Sequence, residues 1–114
     1  MNTQQTNTYQ STVEVVQLPE KLVMANSDEA HKRLQFLIAE GKNRLVIDLS
    51  SMQFMDSSGL AVLVGAWKTV RNDGGKVHLV SPSPSIRALL ELTRLHEIFE
   101  IFEDLDAARA DAIA

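Results

Sequence analysis

The sequence predicts an α/β fold: one domain, with a small mixed β-sheet of four to five strands packed against about four α-helices. Short apolar runs of strand length alternate with stretches whose apolar residues recur at i, i+3, i+4 and i+7, the pattern of helices laid on a sheet. Serine, aspartate, glycine and proline punctuate the boundaries between these stretches. The length of 114 residues is enough for a single core and not for two, since a chain of this size buries roughly two thirds of its unfolded surface.

Residues 1–12 are rich in Asn, Thr, Gln and Ser and carry no charged side chain. They read as a flexible polar segment leading into a domain at 13–114, with a partial strand near Tyr9 as an option. From Thr12 to Leu18 the residues Val13, Val15, Val16 and Leu18 suit a strand that Pro19 ends, and Leu22 to Ala25 reads as a short second piece. Ser27 is the expected N-cap of the next helix, with Asp28 and Glu29 at the positive end of its dipole. Ala30, Leu34, Leu37 and Ile38 follow at helical spacing, and Gly41 supplies a stop.

Arg44 to Leu49 is an apolar run expected to be buried on both faces, and Met52 to Met55 extends or follows it. After Asp56-Ser57-Ser58-Gly59 comes the most strongly patterned helix. Leu60, Leu63, Val64, Trp67 and Val70 or Arg71 trace one face, set toward the core, which leaves Ala61, Gly65, Lys68 and Thr69 facing out. Asp73-Gly74-Gly75 stops it. Lys76 to Val80 is a further strand and Ser81-Pro82-Ser83-Pro84 a turn. Ser83 or Ser85 caps a helix covering Ile86, Leu89, Leu90 and Thr93, with Pro84 in its first turn. Ile98 to Phe102 reads as the last strand and Asp104 to Ile113 as the last helix.

Composition removes several kinds of function. The absence of cysteine excludes disulfides, thiolate metal sites and cysteine nucleophiles. His31 reads as a surface helix residue, His78 as part of a strand and His96 as part of a turn. No two of them are spaced at i, i+4, which argues against a metal site. A net charge of -4 argues against a nucleic-acid grip. No apolar run approaches the ~18 residues of a membrane span, so a cytoplasmic location is expected. Gly74-Gly75 belongs to no phosphate-cradling motif, and Ser57 does not sit in Gly-x-Ser-x-Gly. No catalytic residue and no cofactor is assigned. Trp67 reads as core, and the acidic tract Glu97 to Asp111 as a solvated face.

The loop Met55-Asp56-Ser57-Ser58-Gly59 is the candidate site. Two hydroxyls stand where the first N–H groups of a helix lack internal partners, a place that favours an anion. A phosphate on Ser57, or alternatively Ser58, would bring about -1.5 to -2 charges there. Gly59 leaves room for close backbone approach. Asp56 would repel the phosphate, yet it could hold a serine hydroxyl beforehand or present a carboxylate to a kinase. The same residue types are also ordinary capping residues, worth about 1 kcal/mol with no regulation at all.

The wider context is more specific. The run from Leu45 to Leu63, LVIDLSSMQFMDSSGLAVL, closely resembles the STAS domain of bacterial anti-sigma factor antagonists. Glu40-Gly41, Gly74-Gly75-Lys76-Val77, Ser81 to Ile86 and Leu89 to Leu95 match later landmarks in order and spacing, so the resemblance covers roughly Val13 to Ala108. It implies a phosphorylation-controlled partner switch and no enzyme. The unphosphorylated protein binds an anti-sigma factor, itself a GHKL-type serine kinase, and so frees a sigma factor. Phosphorylation falls on the serine after the motif aspartate, here Ser57, and a PP2C-type phosphatase dependent on manganese or magnesium reverses it. Asp56, Ser57, Ser58, Gly59, Ala61, Gly65 and Lys68 form the expected partner-binding surface. The alternative is a STAS domain serving as a constitutive subunit of a transporter or signalling complex. One position departs from the family pattern: Val23 stands where members often carry aspartate in the loop entering the first helix, so no carboxylate is supplied there.

Overall fold

The computed structural model describes residues 13–114; the polar segment 1–12, with any strand near Tyr9, lies outside the described residues. The central strand is β3 (Arg44–Asp48), whose Leu45, Val46 and Ile47 are all fully buried, as a strand covered on both faces must be. It pairs in parallel with β1 (Glu14–Gln17) on one side and β5 (Lys76–Val80) on the other, and β6 (Glu100–Phe102) adds to β5. The order is therefore β1-β3-β5-β6. A separate ribbon joins β2 (Lys21–Leu22) and β4 (Phe54–Met55), again in parallel, with Leu22 opposite Met55. A small mixed sheet was the expectation; every pairing among the described residues is parallel.

Parallel strands need crossovers, and four α-helices among the described residues supply or flank them. They are α1 (Met24–Ala39), α2 (Ser57–Arg71), α3 (Pro84–Leu92) and α4 (Leu105–Ile113). Side chains alternate across the sheet and separate two cores. Leu45, Ile47, Val77 and Leu79 join Leu34, Ile38, Leu63, Val70, Ile86 and Leu90 in the larger one. Val46 and Val80 point the other way, onto Ala108 and Ala112 of α4. That helix buries little more than two alanines fully and is tied down by polar contacts. Arg44 Nη1 and Lys76 Nζ donate to the Ala112 and Asp111 carbonyls at 2.6 and 2.9 Å, placing cations at its negative end. His78 Nε2 meets Asp111 Oδ2 at 2.8 Å.

Most helix ends follow their expected chemistry. Gly41 takes φ 91°, its N–H donates to the Ile38 carbonyl and that of Lys42 to the Leu37 carbonyl, a double closure that needs the left-handed conformation glycine tolerates. Ser83, rather than Ser85, caps α3 by accepting from the Ile86 N–H at 3.2 Å, with Pro84 as first residue. Asp104 caps α4.

Two expectations need correction. The helix α1 starts at Met24, so Ser27 is not its cap and only Lys21 and Leu22 form the short strand. Extended Val23 holds the cap position, because its partners come from elsewhere: Asn26 Oδ1 accepts the Val23 N–H at 2.9 Å while Asn26 Nδ2 donates to the Lys21 carbonyl. The second correction concerns the face of α2. Its buried stripe is Gly59, Val62, Leu63, Ala66 and Val70, with Leu60, Val64 and Trp67 half-buried at the margin. The helix is thus rotated by most of one residue step (~100°) from the orientation its largest side chains suggest. At Gly59 the backbone runs so close to the layer beneath that no side chain would fit.

Candidate functional site

The parallel pairing of β2 with β4 brings the two chain segments that follow them side by side. One leads into α1 at Met24 and the other into α2 at Ser57, so two helices begin at the same place. The N–H of Asp56 donates to the Leu22 carbonyl at 3.2 Å, carrying the ladder one residue past the ribbon. Asp56 itself is extended (φ -99°, ψ -171°), as an N-cap should be.

Its carboxylate then serves both helices. Oδ1 accepts from the Ser58 and Gly59 N–H groups at 2.9 and 3.1 Å, and Oδ2 accepts from the Met24 N–H at 3.1 Å. The anion expected at the start of α2 is therefore the protein's own. Ser57, the first residue of α2, is exposed, and Ser58 is half-buried beside it. Gly59 is fixed by packing: a Cβ there would stand 2.5 Å from Met55 Cγ and 2.7 Å from the Leu22 carbonyl oxygen.

The structure gathers most of the expected surface residues but turns two inward, Gly59 onto Met55 and Leu22 and Gly65 onto α1. Asp56, Ser57, Ser58 and Gly59 form one turn; Ala61 and Lys68 are exposed beyond it on α2. Ser58 and Ala61 line an open groove with Ser27, Asp28, His31 and Val62. Gly65 does not face outward: a Cβ on it would lie 3.7 Å from the His31 ring, so it belongs to the α1–α2 contact. Thr69 turns the same way, its Oγ1 3.3 Å from Gln35 Oε1 and 3.0 Å from the Gly65 carbonyl.

Two residues that the sequence reading did not single out flank the turn. Phe54 is 52% exposed on β4 and Met24 is 76% exposed at the start of α1. A signal for Phe54 existed, since it alternates with buried Met55 on a two-residue strand. None existed for Met24, whose place depends on the contact with Asp56. At the neighbouring strand end, the Asp48 carboxyl sits below its ordinary value. Burial pushes it up, but hydrogen bonds from Ser50 and Gln17 outweigh that. Among the described residues no group of three or more His, Asp or Glu is placed to hold a metal ion, and no helix is long and apolar enough to cross a membrane.

The family model of the STAS domain matches residues 4–108. An anti-sigma F factor antagonist of Paenibacillus polymyxa is 32% identical over 83 residues, which is 73% of this chain and 66%, just under two thirds, of that relative's length. The crystal structure of an anti-sigma factor antagonist from Mycobacterium paratuberculosis superposes with a TM-score of 0.81 at 26% identity, over 90% of this chain and 86% of that one. A sulfate transporter family protein from Wolinella succinogenes shares the fold (TM-score 0.75, 18% identity, 88% and 84% of the two chains). The fold alone therefore does not choose between a free regulator and a transporter module.

Proposed function

The chain belongs to the STAS domain family, and on that premise we propose that it is an anti-sigma factor antagonist switched by phosphorylation of Ser57. Unphosphorylated, it binds an anti-sigma factor that is also a GHKL-type serine kinase, and so releases a sigma factor in the cytoplasm. The kinase modifies Ser57 and ends the contact; a PP2C-type phosphatase restores it. The chain performs no catalysis of its own. The reading is supported by relatives that are themselves anti-sigma factor antagonists.

One observation carries the reading: Ser57 is exposed at the head of α2, beside a carboxylate that has already taken the neighbouring helix-terminal amides. A phosphoryl group on Ser57 would find no free N–H at Ser58 or Gly59. Its charge of about -1.5 to -2 stays at the surface next to Asp56, where a docked partner must desolvate it. Met24, Phe54, Ala61 and Lys68 complete the contact patch around it.

The test is phosphotransfer from the cognate kinase with ATP. One phosphate should appear on the wild type and none on Ser57→Ala. Label that persists in Ser57→Ala, or appears only at Ser58, overturns the assignment. A stable complex indifferent to every substitution at Ser57 points instead to the constitutive-subunit role.

A further inference from the structure

Asp56 is bonded to three backbone amides from two helices, and the three are not equivalent. Ser58 and Gly59 share Oδ1 within α2, while Oδ2 reaches 32 residues back along the chain to the Met24 N–H of α1. The latter is the one direct hydrogen bond that ties the first turn of α1 to the turn carrying Ser57 among the described residues. An ordinary cap needs only the Oδ1 contacts. The Oδ2 contact does something else: it fixes where exposed Met24 stands relative to Ser57.

We propose that Asp56 is a positioning residue for the phosphoacceptor, its carboxylate holding the starts of α1 and α2 together so that the kinase meets Met24 and Ser57 as one preassembled surface. This rests on the phosphoswitch reading above. A hydrogen bond to a carboxylate is among the stronger kinds, and a surface ordered in advance spares the partner the entropy of ordering it.

Asp56→Asn separates the two tasks. Asparagine caps a helix as well as aspartate does, but it has one acceptor oxygen. That oxygen satisfies two amides if it stays with α2 and one if it turns to α1, so it stays and the Nδ2 donor faces the Met24 N–H. Met24→Pro removes the same bond from the other side. Proline is tolerated at the first position of a helix, and Val23 before it already has the extended backbone (φ -134°, ψ 176°) that a residue preceding proline prefers.

The experiment has two arms. By amide hydrogen exchange on the purified chain, Asp56→Asn should lower protection at Met24 by about tenfold while leaving Ser58 and Gly59 unchanged. In phosphotransfer, with the kinase that labels wild-type Ser57 as the probe, the variant should raise KM for the chain by about tenfold, with kcat nearly constant. In a Met24→Pro background, Asp56→Asn should change KM no further. An unchanged Met24 amide overturns the link between the helices. A KM effect of equal size in both backgrounds, or one on kcat alone, overturns the positioning role. Failure of every kinase to label wild-type Ser57 overturns the phosphoswitch reading and the acceptor role with it; the exchange arm still reports on the link by itself.

Discussion

Alanine in place of Gly59 and of Gly65 should move stability in opposite directions, although both glycines lie in α2. In the middle of a helix, glycine-to-alanine stabilises by about 0.5–1 kcal/mol, chiefly through the entropy of the unfolded chain. Gly65 can take that gain, because the added methyl would sit 3.7 Å from the His31 ring, an ordinary contact distance. Gly59 cannot. Its methyl would lie 2.5 Å from Met55 Cγ and 2.7 Å from the Leu22 carbonyl oxygen. Met55 has rotamer freedom but is itself buried, and the carbonyl belongs to the backbone that accepts the Asp56 N–H. Overpacking of this kind costs about 1–3 kcal/mol, more than the propensity gain returns. Urea unfolding at neutral pH should therefore place Gly59→Ala below wild type and Gly65→Ala above it, with the two separated by about 1–3 kcal/mol. Two variants displaced in the same direction would refute the claim that packing beneath Gly59, rather than backbone freedom, sets the residue at the head of α2.

Three further outcomes follow from the geometry. Ser57→Asp should bind the cognate anti-sigma kinase at least about tenfold more weakly than wild type in calorimetric titration, since a charge is placed in the middle of the patch; equal affinity would count against the charge mechanism. Asp48 is held below its ordinary value in the folded state, so the stability it confers is present above about pH 3.9, its unfolded range, and lost as pH falls through the lower folded value. The difference in urea midpoint between wild type and Asp48→Asn should accordingly be larger at pH 7 than at pH 3, and a gap independent of pH would contradict this. Asp104→Ala should cost about 1 kcal/mol, through loss of the bond to the Ala107 N–H, and a thermal midpoint equal to wild type would refute that.

The parts of the fold that were legible in the sequence depend on local chemistry. Gly41, Ser83, Pro84 and Asp104 act within a turn of where they stand, and the buried triplet Leu45-Val46-Ile47 announces a central strand by itself. The misplaced features depend on contacts between segments distant in sequence. Valine is a poor cap on any local scale; Val23 holds that position with Asn26, three residues on, accepting its N–H and distant Asp56 accepting that of Met24. The face of α2 is not legible from hydrophobic size, because Gly59 and Ala66 share the buried stripe with Leu63 and Val70, and at Gly59 a larger residue has no room. Gly65 and Thr69 turned toward α1 by the same rotation. The turn Asp56–Gly59 was legible as a helix start, since its motif is contiguous; the place of Met24 beside it was not, because the hydrogen bond that ties the two crosses 32 residues.

The carboxylate of Asp56 also decides how the proposed switch would act. An empty helix N-terminus is an anion site, and a phosphate that filled it would order or reshape the turn. Here the amides of Ser58 and Gly59 are already satisfied at 2.9 and 3.1 Å, so such a rearrangement would have to break existing bonds before it made new ones. The cheaper outcome leaves the turn as it is and adds charge on its outer side. A few kcal/mol of lost affinity is enough to change partner occupancy ten- to a thousandfold. Repulsion and desolvation at one exposed serine can supply that with the fold unchanged. In the proposed switch Asp56 would act without touching the phosphate, keeping the helix ends occupied so that the added charge stays at the surface.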